Sequence, residues 1–267
     1  MSFKHISLTF IFVLFISSSA CNSGKGLGLN LFSIEDDKQL GLQVSKEIES
    51  DTKQFPILAP SKNPDAYRLV KKITTNILRT GKVKYANEFA WEVKIIDDNE
   101  TLNAFATPGG YIYVYSGLIK YLDSEDQLAG VMGHEIAHAA LRHSTRQMTK
   151  LYGIQALLSI ATGKADPGLI EQIALGVVNL RFSRGHETEA DGGSVDYLCG
   201  TSYDAAGAAG FFKKIQSGGS GNGQPEFLST HPDPGKRVEN IEKDARSQGC
   251  RGRQGSTAEY TRIKNSL

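Results

Sequence analysis

The sequence predicts a single compact domain of the α+β class that is mainly helical and contains one small sheet. Apolar residues recur at helical spacing over most of the chain, whereas strand-like alternation is confined to residues 89–115. No internal repeat or shift in composition divides the 267 residues into two domains. A hydrophobic content of 40% is enough for one sizeable core.

The charges of the chain nearly cancel, with 30 Lys and Arg against 29 Asp and Glu. This balance gives no electrostatic basis for binding nucleic acid, so we expect no nucleic-acid partner. No stretch approaches the roughly 18 to 20 apolar residues that span a bilayer, which argues against a polytopic membrane protein.

The amino terminus has the layout of a secretory signal peptide over residues 1–20. Lys4 precedes the apolar run 6–16, and small residues then lead to Cys21. This arrangement resembles the lipobox of bacterial lipoproteins, in which the cysteine is acylated, although Ser18 stands where that motif usually has Leu. A plain secreted protein and a buried Cys21 in an uncleaved helix are the alternatives. Asn22 follows the cysteine instead of Asp, and the resemblance to lipoproteins that obey enterobacterial sorting rules implies delivery to the outer membrane. Residues 21–33 are expected to form a flexible tether.

The predicted domain covers residues 34–250 and begins with two helices and the sheet. Helical spacing predicts helices over 34–50 and 65–80, and alternation predicts a strand over 89–96. Residues 102–106 and 111–115 are expected to pair as a hairpin, because Pro108 followed by Gly109 is the chemistry of a type II turn.

The second half of the domain is predicted to be helical. Ser124 with Gln127 three residues later forms a capping box that opens one continuous helix to about Met148. Further helices are expected at 151–160, 166–178, 187–200, 205–215 and 234–246, with a Gly-rich loop at 218–223. Residues 251–267 are expected to be a frayed polar tail.

A metal-binding pattern lies inside the helix that follows Ser124. His134, Glu135 and His138 form the sequence H-E-x-x-H, and residues four apart lie on one helical face about a turn apart. Both imidazoles can therefore bind one Zn²⁺ while Glu135 flanks the open coordination position as a general base.

The third protein ligand must come from further along the chain. Ser144 occupies the position where metzincins place a histidine, and His143 should point about 140° from the ligand face of a continuous helix. Glu171 is expected to be solvated. Glu187 is the favoured ligand because it begins an E-x-x-x-D pattern whose Asp191 lies on the same helical face and can accept an imidazole N–H.

Glu189 points elsewhere on that helix and is expected to be a solvated charge. An exposed acidic turn is the alternative for Glu187 and Asp191.

Four blocks in order resemble the HtpX and CAAX-prenyl-endopeptidase family of gluzincins, and most closely its soluble periplasmic members. They are N-A-F-A-T-P-G-G-Y-I-Y-V-Y-S-G-L-I, H-E-I-A-H, S-R-G-H-E-T-E-A-D and S-T-H-P. The resemblance implies a zincin-like metallopeptidase domain with its small sheet beside the H-E-x-x-H helix. It also implies that Asn103, Ala104 and Phe105 belong to an edge strand that pairs with extended substrate, an ordinary hairpin being the alternative.

The resemblance further implies that His231 approaches the zinc. A removable fourth ligand that plugs the site, a donor to the developing oxyanion, and a loop residue that only caps the last helix are the three roles left open.

The expected function is a zinc endopeptidase that removes unfolded or misassembled proteins of the bacterial cell envelope. We expect it in the periplasm, anchored by the lipid on Cys21, at the outer membrane. A zinc-dependent chaperone or envelope-assembly factor is the alternative from another class, and a peptidoglycan amidase is disfavoured because its usual ligand patterns are absent. Cys199 and Cys250 remain for a disulfide in that oxidising compartment, or as two free buried thiols.

Overall fold

The computed structural model describes residues 32–218, 226–232, 235–250 and 257–267. Cys21, the signal segment 1–20 and the loop residues 219–223 lie outside the described residues. The elements in chain order are α1 Ile34–Ser50, α2 Pro64–Leu78, β1 Glu92–Ile96, β2 Ala104–Ala106, β3 Tyr111–Tyr115, α3 Ser116–Tyr121, α4 Glu125–Ala140, α5 His143–Tyr152, α6 Ile154–Ala161, α7 Pro167–Val178, α8 Arg184–Leu198, α9 Gly207–Gln216, α10 Glu226–Thr230, α11 Arg237–Ser247 and α12 Thr257–Ser266.

The sheet has three strands in the order β1-β3-β2, with β1 parallel and β2 antiparallel to β3. The predicted hairpin of β2 and β3 is confirmed, and Gly109 has φ 74° and ψ 4°, as the third position of a type II turn requires. The strand predicted from residue 89 begins only at Glu92, because Trp91 takes a left-handed φ of 47°.

Helix α4 forms the centre of the domain and packs against α8, α9, α2 and β2. The Oγ of Ser124 accepts a hydrogen bond from the Gln127 N–H at 3.3 Å, but the Gln127 Oε1 accepts from the Asp123 N–H at 2.8 Å and not from Ser124, so only half of the predicted capping box is present. Gly130 brings α9 into backbone contact, since a Cβ there would lie 2.1 Å from the Ala208 nitrogen. Nearly every residue of α4 is buried, which surrounds the H-E-x-x-H segment with protein.

The continuous helix predicted from 128 to 148 is wrong, because α4 ends at Ala140 and α5 begins at His143. Arg142 interrupts it with a left-handed φ of 61°. Its guanidinium is held by the buried carboxylate of Asp37 at 2.5 Å and by the Phe32 carbonyl at 2.6 Å. A contact between distant parts of the chain thus ends a helix that local propensity would continue.

The expected frayed tail is also wrong in its last part. Residues 257–266 form α12, where Tyr260 is fully buried and Ile263 is 2% exposed. The Tyr260 hydroxyl donates to the Ile119 carbonyl at 2.7 Å, which fixes α12 on α3. Two apolar side chains three residues apart are enough to dock one face of an otherwise polar helix.

The domain begins two residues earlier than the sequence predicts. Phe32 is buried in the core and Ser33 caps α1, so the last two residues of the expected tether belong to the domain.

Cys199, at the end of α8, is joined to Cys250 by a disulfide with the Cα atoms 5.1 Å apart. No helix in the described part of the chain has the length and hydropathy needed to cross a membrane.

Candidate metal centre

Two histidines of α4 point to one spot in the interior. The Nε2 atoms of His134 and His138 lie 2.9 Å apart, and both residues are buried. The four-residue spacing on a single helix produces this geometry directly. Glu135, between them, is fully buried, and burial raises the pKa of its carboxyl group.

Helix α8 brings a carboxylate to the same spot. The two Glu187 oxygens lie 3.4 Å from the Nε2 atoms of His134 and of His138. Burial acts to raise the pKa of Glu187, but the neighbouring imidazoles of His231, His134 and His138 hold that pKa well below its usual range. Glu187 is therefore a buried, ionised oxygen donor.

His231, which follows α10, completes a cluster of four donors. Its Nδ1 lies 3.2 Å from His134 Nε2 and 3.3 Å from a Glu187 oxygen, and its Nε2 lies 3.6 Å from Glu135. One donor atom from each of His134, His138, Glu187 and His231 lies within 4.8 Å of the others. Imidazole nitrogens and carboxylate oxygens are among the ligands that proteins use to bind zinc.

The polar atoms of this cluster also fit a bound cation. Both oxygens of Glu187, both oxygens of Glu135 and the Nε2 of His231 are buried without a hydrogen-bond partner. Burying polar atoms without a partner costs free energy. A cation in the cluster would provide a partner for the oxygen and nitrogen atoms that face it. The residues present therefore fit a metal ion.

Outside the cluster, the ion pair of Asp191 and Arg237 orients His134. Its Nδ1 lies 2.9 Å from Asp191, which leaves Nε2 free to face the centre. Arg237 donates two hydrogen bonds of 2.7 Å to the Asp191 carboxylate and lies 3.1 Å from Glu187, with its guanidinium 4.1 Å from the Phe212 ring. Nothing in the sequence predicts this role of Arg237, because one arginine at the start of a polar helix carries no motif.

A second chain of contacts orients His138. Its Nδ1 lies 3.1 Å from Nδ1 of His143, whose Nε2 lies 3.1 Å from the Glu189 carboxylate. The predicted direction of His143 is wrong, because the break at Arg142 turns its ring back toward His138. The interpretation of Glu189 as only solvated is also incomplete, since its half-exposed side chain accepts this bond. Glu171 is exposed, as predicted.

The two ligand histidines of α4 differ in charge. Burial and the neighbouring Arg237 oppose a charge on His134, but the carboxylates of Asp191 and Glu187 outweigh them and raise its pKa to about 9. Burial, together with the neighbouring His134, lowers the pKa of His138 to about 3. A metal between these rings must displace the proton on His134, so its binding is expected to weaken as the pH falls.

The segment expected to pair with substrate lies at the edge of the sheet. Asn103 and Ala104 are fully buried and Phe105 is 4% exposed. Two residues before β2, the Leu102 carbonyl accepts a hydrogen bond from the Phe227 N–H at 3.1 Å. Helix α10, which precedes His231, is thus tied to the chain just before β2.

The same α10 segment covers the metal centre. The Phe227 ring stacks on His231 with centroids 4.3 Å apart, and both side chains are buried. All residues of the centre are at most 1% exposed. The described residues thus bury Glu135 and the four metal-binding side chains completely.

A mainly helical domain in which an H-E-x-x-H helix meets a downstream Glu187 defines a zincin-like metallopeptidase domain. The comparison with protein families agrees. The family described as Peptidase family M48 matches residues 60–245, and the chain belongs to this family.

Several curated proteins share this domain. The chain is 28% identical to the mitochondrial metalloendopeptidase OMA1 of Schizosaccharomyces pombe over 80% of its length and 62% of the relative's. It is 35% identical to the Escherichia coli metalloprotease YcaL over 52% of its length and 57% of the relative's. It is 33% identical to the E. coli beta-barrel assembly-enhancing protease over 53% of its length and 32% of the relative's. The chain thus spans less than two thirds of each.

Proposed function

We propose that the protein is a zinc-dependent endopeptidase of the bacterial cell envelope that cleaves unfolded or misassembled proteins. The observation that carries this proposal is the convergence of His134, His138 and Glu187 with the buried carboxylate of Glu135 beside them. A metal site used only for structure has no need of a base at that position.

His134, His138 and Glu187 would hold the zinc, with His231 as a fourth donor. When bound, zinc supplies the Lewis acidity that acidifies water and polarises a peptide carbonyl. Glu135 takes the proton of the attacking water and returns it to the leaving amine. Its raised pKa makes the carboxylate a stronger base, because burial penalises the charged form.

Substrate would be bound as an extended segment along β2, at Asn103, Ala104 and Phe105. Two observations support this: β2 is at the edge of the sheet, and the Asn103 Nδ2 is a buried donor without a partner. Pairing through main-chain hydrogen bonds is available to any extended chain and not to a folded one, which favours unfolded substrates.

His231 is proposed to plug the resting site. Its Nδ1 faces the ligand atoms of His134 and Glu187, while Phe227 of the same segment is hydrogen-bonded to Leu102, two residues before β2. Under this proposal His231→Ala raises basal casein hydrolysis per bound zinc. A fall in kcat of about a hundredfold would assign the oxyanion role instead, and an unchanged rate would leave only a capping role.

The proposed location is the periplasmic face of the outer membrane, through a lipid on Cys21 after removal of residues 1–20. The lipobox-like sequence supports it, and two of the similar proteins are bacterial proteases. Metabolic labelling with a palmitate analogue should mark the wild type and not Cys21→Ser. Equal labelling of both would remove the anchor from the proposal.

The decisive test combines zinc quantification with casein hydrolysis on the purified protein and on Glu135→Gln. We expect one zinc per chain in both proteins and cleavage only by the wild type, because the substitution removes the base and no ligand. Casein cleavage by the variant at the wild-type rate would refute the mechanism. Suppression of casein aggregation with no cleavage by the wild type would favour the alternative, a zinc-dependent chaperone.

A further inference from the structure

A groove with a volume of about 630 Å³ opens beside the carboxyl end of the metal-binding helix α4. Its walls come from the segment 82–85, the end of α4, the first turns of α5 and the middle of α8. The described lining residues do not include any of the four metal-binding side chains. Ligand pockets in proteins commonly measure roughly 300 to 1,000 Å³, so this groove has the size of a binding site.

Arg146 of α5 brings an unpaired positive charge to this groove. Its Nε and Nη1 atoms are buried without a hydrogen-bond partner, and it forms no ion pair with the described residues. Two other cations of the groove are paired, Lys82 with Asp196 and Arg142 with Asp37. A guanidinium that is withdrawn from water without a partner costs free energy, so an anion in the groove would stabilise it.

The unpaired groups of the groove carry an excess of positive charge. Lys84 is exposed and, like Arg146, has no ion pair in the part of the chain that the structure describes. Glu189 is the one carboxylate that faces these two cations, and it lies 3.1 Å from His143 Nε2. Burial raises the pKa of the Tyr197 phenol to about 12, so this wall residue is neutral. A ligand that complements the groove therefore carries a negative charge.

The remainder of the lining favours a ligand larger than a free anion. Tyr85, Ala140 and Leu141 contribute apolar surface. Gly192 leaves the backbone of α8 uncovered, because a Cβ there would meet no atom closer than 3.8 Å. Glycine inside a helix is destabilising, and close packing does not require it at this position. Inorganic phosphate would leave most of the groove unfilled, whereas an anion with an attached apolar group would occupy both parts.

We propose that this groove binds the carboxyl-terminal residue of a polypeptide, with the α-carboxylate at Arg146 and Lys84 and the side chain against Tyr85 and Leu141. A terminal residue carries a negative charge and an apolar side chain together. An internal acidic residue has its carboxylate in place of the apolar group and supplies only one of the two. Hydrogen bonds between a guanidinium and a carboxylate are charge-assisted, which makes them stronger than neutral ones. The binding is independent of the peptidase activity proposed above.

The test compares the binding of N-acetylleucine and N-acetylleucinamide to the zinc-loaded protein by isothermal titration calorimetry. The two probes differ in the terminal group, and neither contains a bond between two amino acids that a peptidase could cleave. We expect the carboxylate to bind about tenfold or more tightly than the amide. Acetate and inorganic phosphate, which lack the apolar side chain, should bind more weakly than N-acetylleucine.

Three variants locate the site. Arg146→Met should abolish the preference for the carboxylate. Lys84→Met, at an exposed position, should weaken the binding of N-acetylleucine about two- to fivefold without affecting the fold. Lys150→Met is the matched control, because Lys150 is exposed on the same helix as Arg146 and lies outside the groove. This control should bind both probes as the wild type does.

The contrary results are equally specific. Equal affinity of the wild type for the two probes would overturn the proposal. A carboxylate preference that persists in both Arg146→Met and Lys84→Met would place the anion elsewhere, for example on the metal, and would also overturn it. Phosphate binding as tight as that of N-acetylleucine would show a site for free oxyanions instead. If Arg146→Met does not fold, Lys84→Met decides, and casein hydrolysis by the wild type reports on the peptidase separately.

Discussion

Replacing Arg237 by Met tests how the structure supports its metal ligands. Arg237 is 1% exposed and donates two hydrogen bonds of 2.7 Å to Asp191, which is 7% exposed. It also lies 3.1 Å from Glu187. The substitution fits the space above Phe212 but leaves two buried carboxylates without their cation.

The expected cost follows from these contacts. Each hydrogen bond between charged groups contributes about 1.5–3 kcal/mol, and removing one partner of a buried ion pair costs about 3–5 kcal/mol. We therefore expect Arg237→Met to lower the free energy of unfolding by about 3–5 kcal/mol in the presence of a chelator. Zinc affinity should fall about 10- to 100-fold, because Asp191 no longer holds His134 in place.

The measurements are denaturant unfolding with and without zinc and competition for zinc with a chromophoric chelator. Lys243→Met, an exposed position on the same helix, is the control and should change stability by less than about 0.5 kcal/mol. The double variant Arg237→Met/Asp191→Asn should recover part of the loss. A cost below about 1 kcal/mol with unchanged zinc affinity would refute the assigned role of Arg237.

Three other perturbations test separate parts of the structure. Glu187→Ala should contain less than one zinc per chain while the fold is retained. One zinc per chain in this variant, measured by elemental analysis, would reject Glu187 as a ligand. The Cys199–Cys250 disulfide closes a separation of 51 residues, so the double Ser variant should lose about 4 kcal/mol, and thiol counting on denatured wild type should find no thiol at either position. Tyr260→Ala should cost about 3–5 kcal/mol in denaturant unfolding, whereas a frayed tail would show no change.

Much of the metal centre follows from local spacing in the sequence. The four-residue separation of His134 and His138 places both rings on one face of any regular helix. The same rule places Glu187 and Asp191 together on α8, where Glu187 faces the Nε2 atoms of both histidines and Asp191 contacts the Nδ1 of His134. The hairpin of β2 and β3 was equally predictable, because Pro108 and Gly109 restrict the backbone of its turn.

Contacts between distant elements determine the rest of the metal centre and the helix boundaries that the sequence does not predict. No helical or strand period relates the residues of three contacts. These are Arg237 with Asp191, His143 with His138, and His231 with His134. The break at Arg142 and the docking of α12 oppose the local composition, because buried ion pairs and apolar contacts outweigh weak helix propensities. Sequence spacing alone therefore determined which side chains share a face, and only packing determined what each face meets.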